Sequence, residues 1–383
     1  MNTNLTLLML NCKSINSKLG EIKLLCYSEK PDIFCLSETW IKEVKYEPKF
    51  INYSIEWKHR VNPGGGGGLG ILIKRGVQYH KLNLIPFPNG VLEFLAIKIY
   101  ENNNKYTCIL NIYNPGAPLS TNEFRHYINQ LGSRYIVLGD FNAHSIILND
   151  RCKRRNATGK TIEELVLDDN ICLINPINFF TFIDSATGCR SCLDLCFASP
   201  NIAINCEISL AKDVGSDHYP VKVEVNIAPI IYKASGRPKW KPCKESLYNF
   251  SMNISETKII QPNSLDNMVS DLQSRIHDSA LQNIKQTKGI RVGKRTSWWS
   301  EECSRAVAER RYARKQLEKY PTNNNLLNFR DKSSKAKDIC LKHKKATFQN
   351  YISSLHHNTP TSQVWKKVKS LKSNYKQESY PLA

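Results

Sequence analysis

In the stretch RYIVLGDFNAH, Arg134 to His144, four apolar residues, Tyr135 to Leu138, are followed by a glycine and then by Asp140, Asn142 and His144 at alternate positions. Four β-favouring residues backed by glycine predict a short buried strand that delivers a carboxylate, an amide and an imidazole to one place. Other apolar runs end the same way. LMLNCKS presents Asn11, PDIFCLSETW presents Glu38, and CILNIYNP presents Asn111, Tyr113 and Asn114. CLDLCFAS sets Asp194 inside an apolar run, and VGSDHYPV places Asp217 and His218 directly before another. Gathered at one edge of a sheet, these groups suit phosphoester chemistry. Carboxylate and amide oxygens bind a hard cation such as Mg²⁺, which keeps positions for water and phosphate oxygens. A carboxylate repels a phosphate, so Glu38 makes sense there mainly as a metal ligand. Asp140 with Asn142 can orient and deprotonate an attacking water. His218, oriented by Asp194, can hold charge on phosphoryl oxygens, and Asn11 and Tyr113 can donate hydrogen bonds to them.

Each motif has a plainer reading. SDH alone is a common turn or cap, and Ser, Glu and Thr of SETW suit a first helical turn. Asp194 resists that reading, because an unpaired carboxylate inside an apolar strand is costly. Six strand ends carrying compatible groups, in order, favour a built site.

The elements that would position them alternate strands and helices over the first 225 or so residues. Strands are predicted at Leu5–Leu10, Ile33–Leu36, Leu69–Ile73, Leu92–Tyr100, Tyr106–Ile112, Tyr135–Leu138, Leu193–Phe197 and Tyr219–Val225. Helices are predicted at Lys18–Ser28, Thr121–Gly132 and Lys160–Asn170, the last with Leu165 and Val166 facing inward. Many strands with fewer helices indicate a mixed α/β (α+β) layered sandwich. NPGGGGGLG, Asn62–Gly70, reads as a flexible loop; it lacks the lysine and hydroxyl residue of a phosphate-binding P-loop.

Charge divides the 383-residue chain. Residues 1–230 hold 24 Lys and Arg against 22 Asp and Glu, whereas residues 231–383 hold 30 against 12, so nearly all of the +20 lies in the last two-fifths. Such asymmetry suggests a near-neutral body with a segment drawn to nucleic acid, the plainer reading being a solvated helical face. Three regions are expected: a domain over 1–228, a Pro-, Gly- and Lys-rich linker over 229–242, and a basic helical region over 243–383. Within the last, Trp299, Cys303, Val307 and Arg310 share one helical face. Arg310, Arg311, Arg314, Lys315, Lys344 and Lys345 are its candidate nucleic-acid contacts. The 13 cysteines are scattered and odd in number, and the chain opens without a basic, cleavable leader, so free thiols and a nuclear or cytoplasmic, non-secreted location are expected. CRSC, Cys189–Cys192, has redox spacing but no second pair, and reads as structural. No apolar run approaches the ~20 residues that span a bilayer.

The ordered series LNCKS, SETW, NIYNP, GDFNAH, CLDLCFAS and SDHYPV resembles the endonuclease/exonuclease/phosphatase superfamily. More closely it resembles the apurinic-like endonuclease domain of jockey- and R1-type non-LTR retrotransposons. The likeness covers roughly residues 5–227. It continues more weakly through WWSEECSRAVAERRYARKQ and VWKKVKSLK, which resemble the stretch between endonuclease and reverse transcriptase in those elements. The resemblance implies a two-sheet sandwich covered by helices and a Mg²⁺-dependent endonuclease (Mn²⁺ able to substitute) acting on double-stranded DNA. Nicking one strand would leave a 3′-hydroxyl that primes reverse transcription, and the basic region would meet element RNA. Glu38 would be the metal ligand, supported by Asp217; Asp140 and Asn142 would activate water; Asn11 and Tyr113 would contact phosphate; Asp194 would pair with His218. His144 and Asn114 are further candidates. Ser145 and IILND stand where those elements commonly carry a second histidine and a tryptophan, and no aromatic-x-Asp-Asp polymerase signature is present; LVLDDN, with Asp168 and Asp169, only superficially resembles it. A truncated mobile-element protein is therefore expected. The rival functions are abasic-site repair, another phosphoesterase activity of the superfamily, and a decayed fragment that binds nucleic acid without cutting.

Overall fold

A computed structural model describes residues 4–59, 66–102, 104–148, 155–167, 170–232, 240, 242–256, 265–285, 298–356, 359–362 and 364–365. The first four residues of the glycine-rich loop, 62–65, the Asp168–Asp169 pair, most of the 229–242 linker and all of VWKKVKSLK after its tryptophan lie outside these residues.

Strands β1 (Leu5–Asn11), β2 (Ile33–Ser37), β3 (Tyr53–Lys58), β4 (Leu69–Lys74), β5 (Tyr79–Leu82), β6 (Glu93–Tyr100) and β7 (Tyr106–Tyr113) occupy the first part of the chain. They are followed by β8 (Tyr135–Asp140), β9 (Cys172–Leu173), β10 (Phe182–Ile183), β11 (Arg190–Ser191), β12 (Asp194–Ala198), β13 (Cys206–Leu210) and β14 (Val221–Val225). They build two six-stranded sheets, ordered β13-β14-β1-β2-β4-β3 and β5-β6-β7-β8-β12-β9, and the small hairpin β10-β11. All eight expected strands are present within a few residues of their predicted ends.

The inner faces share one core: Leu7, Met9, Ile71 and Val223 of the first sheet lie with Ile97, Ile109, Ile136 and Cys196 of the second. Each outer face carries helices. Over the first sheet, α1 (Ile15–Glu29) packs Ile15, Ile22 and Leu25 with Leu8, Phe34 and Leu72. Over the second, α2 (Thr121–Asn129) and α3 (Ala157–Val166) pack Phe124, Tyr127, Ile162 and Leu165 with Leu110, Val137 and Phe197. Both faces being covered explains why β1, β2 and β8 read as unbroken apolar runs with no alternation. Ser120 and Asn156 cap α2 and α3 by accepting from the N–H groups of Glu123 and Gly159. Val166, expected to face inward, is instead 38% exposed. It is the last residue of α3, and the core-facing row of that helix runs through Thr158, Thr161, Ile162 and Leu165.

Two parallel pairings gather the strand ends. β1 and β2 pair in parallel with Asn11 opposite Ser37, and β7 and β8 in parallel with Tyr113 opposite Asp140. β12 runs antiparallel to β8, and its first residue, Asp194, faces Asp140. Gly139 permits the tight approach of β7 and β8 at this point, since a Cβ there would meet the Ile112 carbonyl oxygen at 2.0 Å.

The chain divides into two compact units, 1–232 with 294–383, and 233–293. The first also contains α4 (Pro200–Ala203). In the second, α5 (Lys244–Glu256) and α6 (Leu265–Asn283) lie together, and Trp240 meets His277 edge-on at 6.2 Å between ring centroids. Helices α7 (Glu301–Lys319) and α8 (Asn323–Ser353) belong to the first unit. The basic tail expected over 243–383 is thus divided: its later helices are built onto the sandwich. As predicted, Cys303, Val307 and Arg310 share the buried face of α7, with Ala313, Arg314 and Leu317 continuing it. Among the described residues, no helix is long and apolar enough to cross a membrane. Twelve described cysteines, Cys189 and Cys192 included, are free thiols.

Candidate active site

The strand ends open on a cavity of about 190 Å³ lined by Glu38, Asp140, Asn142, His144, Asp217 and His218, with Lys13, Phe182 and Leu193 completing the wall. Asn11 joins two of the carboxylates. Its Nδ2 donates to Glu38 Oε1 at 2.9 Å and to Asp140 Oδ2 at 2.8 Å. Tyr113 donates its hydroxyl to the same Glu38 oxygen at 3.0 Å, and Trp40 Nε1 donates to Oε2 at 3.2 Å. Burial, reinforced by Glu38, holds the Tyr113 phenol far above its ordinary range, so it stays a donor. Glu38 and Asn142 both have left-handed backbones, with φ of 48° in each, and both line the cavity. Such conformations concentrate where a site demands a particular side-chain direction.

Asp140 sits at the end of β8, almost wholly buried. Its Oδ1 accepts the Asn142 N–H at 2.9 Å. Burial pushes its carboxyl up to about 7, against the lowering influence of His218 and of the Asn11 hydrogen bond. His218 lies between two carboxylates: Nδ1 is 2.7 Å from Asp194 Oδ2, and Nε2 is 3.9 Å from Asp140 Oδ2. Burial disfavours the imidazolium, but Asp194 and Asp140 outweigh it and raise His218 to about 9. Asp194 is anchored in turn, its N–H and that of Leu193 both donating to Thr181 Oγ1 at 3.1 Å. Asp217 accepts from Lys13 Nζ at 2.7 Å. Burial raises its carboxyl, yet His218 and Lys13 prevail and hold it below the ordinary carboxylate range.

The cavity therefore collects three carboxylates, two of them partly solvent-facing, with one lysine and one imidazole as cations. Asp140, Asp194 and His218 have ligand atoms within 4.8 Å of one another. The Asp194–His218 distance is that of a charge-assisted hydrogen bond, and an imidazole kept protonated by its carboxylate neighbours has no lone pair to ligate with. The donors left for a cation are oxygens, from Glu38, Asp140 and Asp217. An all-oxygen set fits a hard divalent ion and suits soft metals poorly.

Of the expected site residues, Asn11, Glu38, Tyr113, Asp140, Asn142, Asp194, Asp217 and His218 converge here. His144 lines the same cavity. Asn114 does not: its side chain donates to Ala117 O and accepts from the N–H groups of Gly116 and Ala117, closing the turn after β7. Only its backbone serves the site, its carbonyl accepting from Asn142 Nδ2 at 2.7 Å. Sequence reasoning missed Lys13 and Trp40, since an exposed lysine or tryptophan beside a site residue looks like any surface residue.

The basic candidates separate sharply. Arg310 and Arg314, expected to meet nucleic acid, are 5% and 1% exposed. Both guanidiniums are committed to Asp213, Arg310 also to Glu21, so neither offers its charge to a phosphate. Arg311 donates Nε and Nη2 to the Asp213 carbonyl at 2.9 and 2.7 Å. Lys315, Lys344 and Lys345 are exposed.

Residues 107–222 match the family model described as endonuclease-reverse transcriptase. Among curated proteins, the chain is 26% identical over 241 residues to a probable RNA-directed DNA polymerase from transposon X-element of Drosophila melanogaster, covering 60% of this chain and 25% of that protein. It is 20% identical over 383 residues to the corresponding protein of transposon BS from the same fly, covering 96% of this chain and 41% of that protein. The chain thus spans well under half the length of these relatives. Solved structures similar to it include the endonuclease domain of TRAS1, a telomere-specific non-LTR retrotransposon, at 15% identity and TM-score 0.47, covering 58% of this chain and 98% of that one. Another is the catalytic domain of Xenopus laevis APE2, at 17% identity and TM-score 0.49, covering 60% and 94%. The matched residues make this chain similar to the endonuclease-reverse transcriptase class of proteins. In particular, its curated relatives include the probable RNA-directed DNA polymerases of two fly transposons.

Proposed function

We propose that this domain is a divalent-metal-dependent endonuclease that nicks one strand of duplex DNA and leaves a 3′-hydroxyl. The observation that carries this reading is the juxtaposition of the Asp140 carboxylate, tied to Asn11 and Asn142, with Glu38 and the Asp194–His218 pair around one small cavity. In hydrolysis a water oxygen bonds to phosphorus while the bond from phosphorus to the 3′-oxygen breaks, giving a 5′-phosphate and a 3′-hydroxyl. Asp140 accepts the water's proton, and its raised affinity for protons suits it to that task near neutral pH. Asn142 fixes Asp140 through its backbone N–H and turns toward the same cavity. His218, kept cationic by Asp194 and Asp140, holds charge developing on the phosphoryl oxygens. Glu38 and Asp217 would hold the cation, Mg²⁺ being the natural occupant of an oxygen site. Bound there, it supplies Lewis-acid neutralisation of phosphate charge. Asn11 and Tyr113 keep Glu38 oriented, and their amide and hydroxyl groups are the donors this reading assigns to a phosphate oxygen.

The test is the chemistry of the ends. A nicked duplex produced with Mg²⁺ should be extended directly by a DNA polymerase, and chelation of the cation should abolish cutting. Ends that polymerase extends only after phosphatase treatment would contradict the proposed bond cleavage. Cutting confined to duplexes carrying an abasic position would favour a repair-type activity.

A further inference from the structure

Helix α7 reaches the active-site loop. The Arg314 guanidinium is buried and forks three ways: Nη1 donates to Asp213 Oδ1 at 2.6 Å and to the Ser216 carbonyl at 2.7 Å, and Nη2 donates to the Asp217 carbonyl at 2.9 Å. Its face stacks on Tyr219, 3.7 Å from the ring centroid. The loop it grips, 213–219, contains Asp217 and His218. Arg310, one turn earlier, ties the same Asp213 to Glu21 of α1 through bidentate bonds of 2.7–2.9 Å to Glu21. Helix α8 takes the neighbouring loop. Arg330 donates to the carbonyls of Ser185 and Ala186 at 2.8 and 2.6 Å, beside the β10-β11 hairpin. Leu317 and Leu326 pack with Ile183 of that hairpin. The two grips meet at one atom, since the Asp217 carbonyl accepts from both the Ile183 N–H and Arg314.

Taking the nuclease reading as its basis, we propose that the α7–α8 hairpin is part of the catalytic apparatus and that Arg314 is the positioning residue for the Asp217–His218 loop. An α-helix whose charge were meant for solvent or DNA would turn its arginines outward, as Arg305 does at 71% exposure of its side chain. Arg310 and Arg314 face inward, and their hydrogen bonds go to the Asp213 carboxylate, to loop carbonyls and to Glu21 of α1, none of them on α7; Glu318 of α7 lies farther off, 3.7 Å from Arg314 Nε. Arginine's planar fork serves three acceptors at once; a lysine ammonium keeps the charge opposite Asp213 but cannot reproduce that geometry. Misplacing a catalytic group by about 1 Å costs up to roughly a hundredfold in rate without altering how substrate is held elsewhere. The segment between the sandwich and any following domain therefore does more than connect: it sets the nuclease loop.

The experiment uses the full chain with Arg314→Lys, Arg330→Ala and, as a control for loss of a surface arginine, Arg305→Lys. The expected result is a fall in kcat for plasmid nicking of roughly ten- to a hundredfold in Arg314→Lys, KM for DNA staying within about twofold. Hydrogen exchange on the same samples should speed up at least about tenfold at residues 214–219 and at Ile183, with the amides of β1, β2, β7 and β8 still protected. Arg305→Lys should match the parent in both. If Arg314→Lys also lost protection in those strands, Arg330→Ala decides, with a smaller kcat loss and faster exchange confined to 183–191 expected of it. Unchanged kcat and unchanged loop exchange would overturn the proposal. If the parent chain nicks no better than Asp140→Ala, the nuclease reading fails, and the exchange result alone still decides whether α7 fixes this loop.

Discussion

At the scale of single residues, the proposed reaction would depend on protons held against their ordinary tendencies. Asp140 is raised to about 7 by burial, and it must be deprotonated to accept a proton, so activity should climb as pH rises through that value. His218 is raised to about 9 by Asp194 and Asp140 despite its burial, and it must be protonated to hold phosphoryl charge, so activity should decline as pH passes that value. A bell-shaped profile of kcat/KM is the expected outcome, and His218→Gln should remove its alkaline limb while lowering the plateau by roughly a hundredfold or more. A parent profile still rising above pH 10 would assign His218 another task. The residues of this site were legible because chemistry-bearing types followed apolar runs in a fixed order. Lys13 was not, since nothing in NCKS distinguishes a lysine reaching Asp217 from one pointing into water. Asn114 misled for the opposite reason: it sits beside Tyr113 in sequence, yet its amide is spent closing a turn.

At the scale of elements, the apolar runs determined where strands lie, and the parallel register of β1 with β2 and of β7 with β8 turned those runs into a site. Pairing cannot be read from one strand at a time, which is why convergence had to be inferred from the compatibility of the strand ends. Short or amphipathic pieces such as β3, β5, β9 and β13 escaped, because half-exposed segments at sheet edges carry weak patterns. Burial sorts the stability of these elements. Leu195 in β12 is fully buried in the core under α2 and α3, and Leu195→Ala should cost about 2–5 kcal/mol in urea unfolding. Val166→Ala, at the exposed end of α3, should stay within about 0.5 kcal/mol. Equal losses at the two positions would mean that α3 packs differently from the arrangement described. In α7, sequence pattern gave the buried face correctly as far as Arg310 but misassigned the purpose of its arginines. Helical periodicity reports which face a residue occupies, whereas its partner, here Asp213, lies about a hundred positions earlier in the chain.

At the scale of the whole molecule, the charge asymmetry of +18 in the last two-fifths is real, but it does not describe one basic appendage. Residues 233–293 form one compact unit, while α7 and α8 join the sandwich and spend part of their charge on its acidic loop. Lys315, Lys344 and Lys345 remain exposed on those helices and are the cations of this set left for a nucleic-acid backbone. The central claim, that the gathered strand ends cut DNA, is tested most directly by nicking of supercoiled plasmid with Mg²⁺ by the parent chain and by Asp140→Ala with His218→Ala. The account predicts conversion to the open circle by the parent and a loss of at least about a thousandfold in the double variant, comparable to removing groups that act as one catalytic unit. Equal nicking by the two proteins, or none by either, would contradict it.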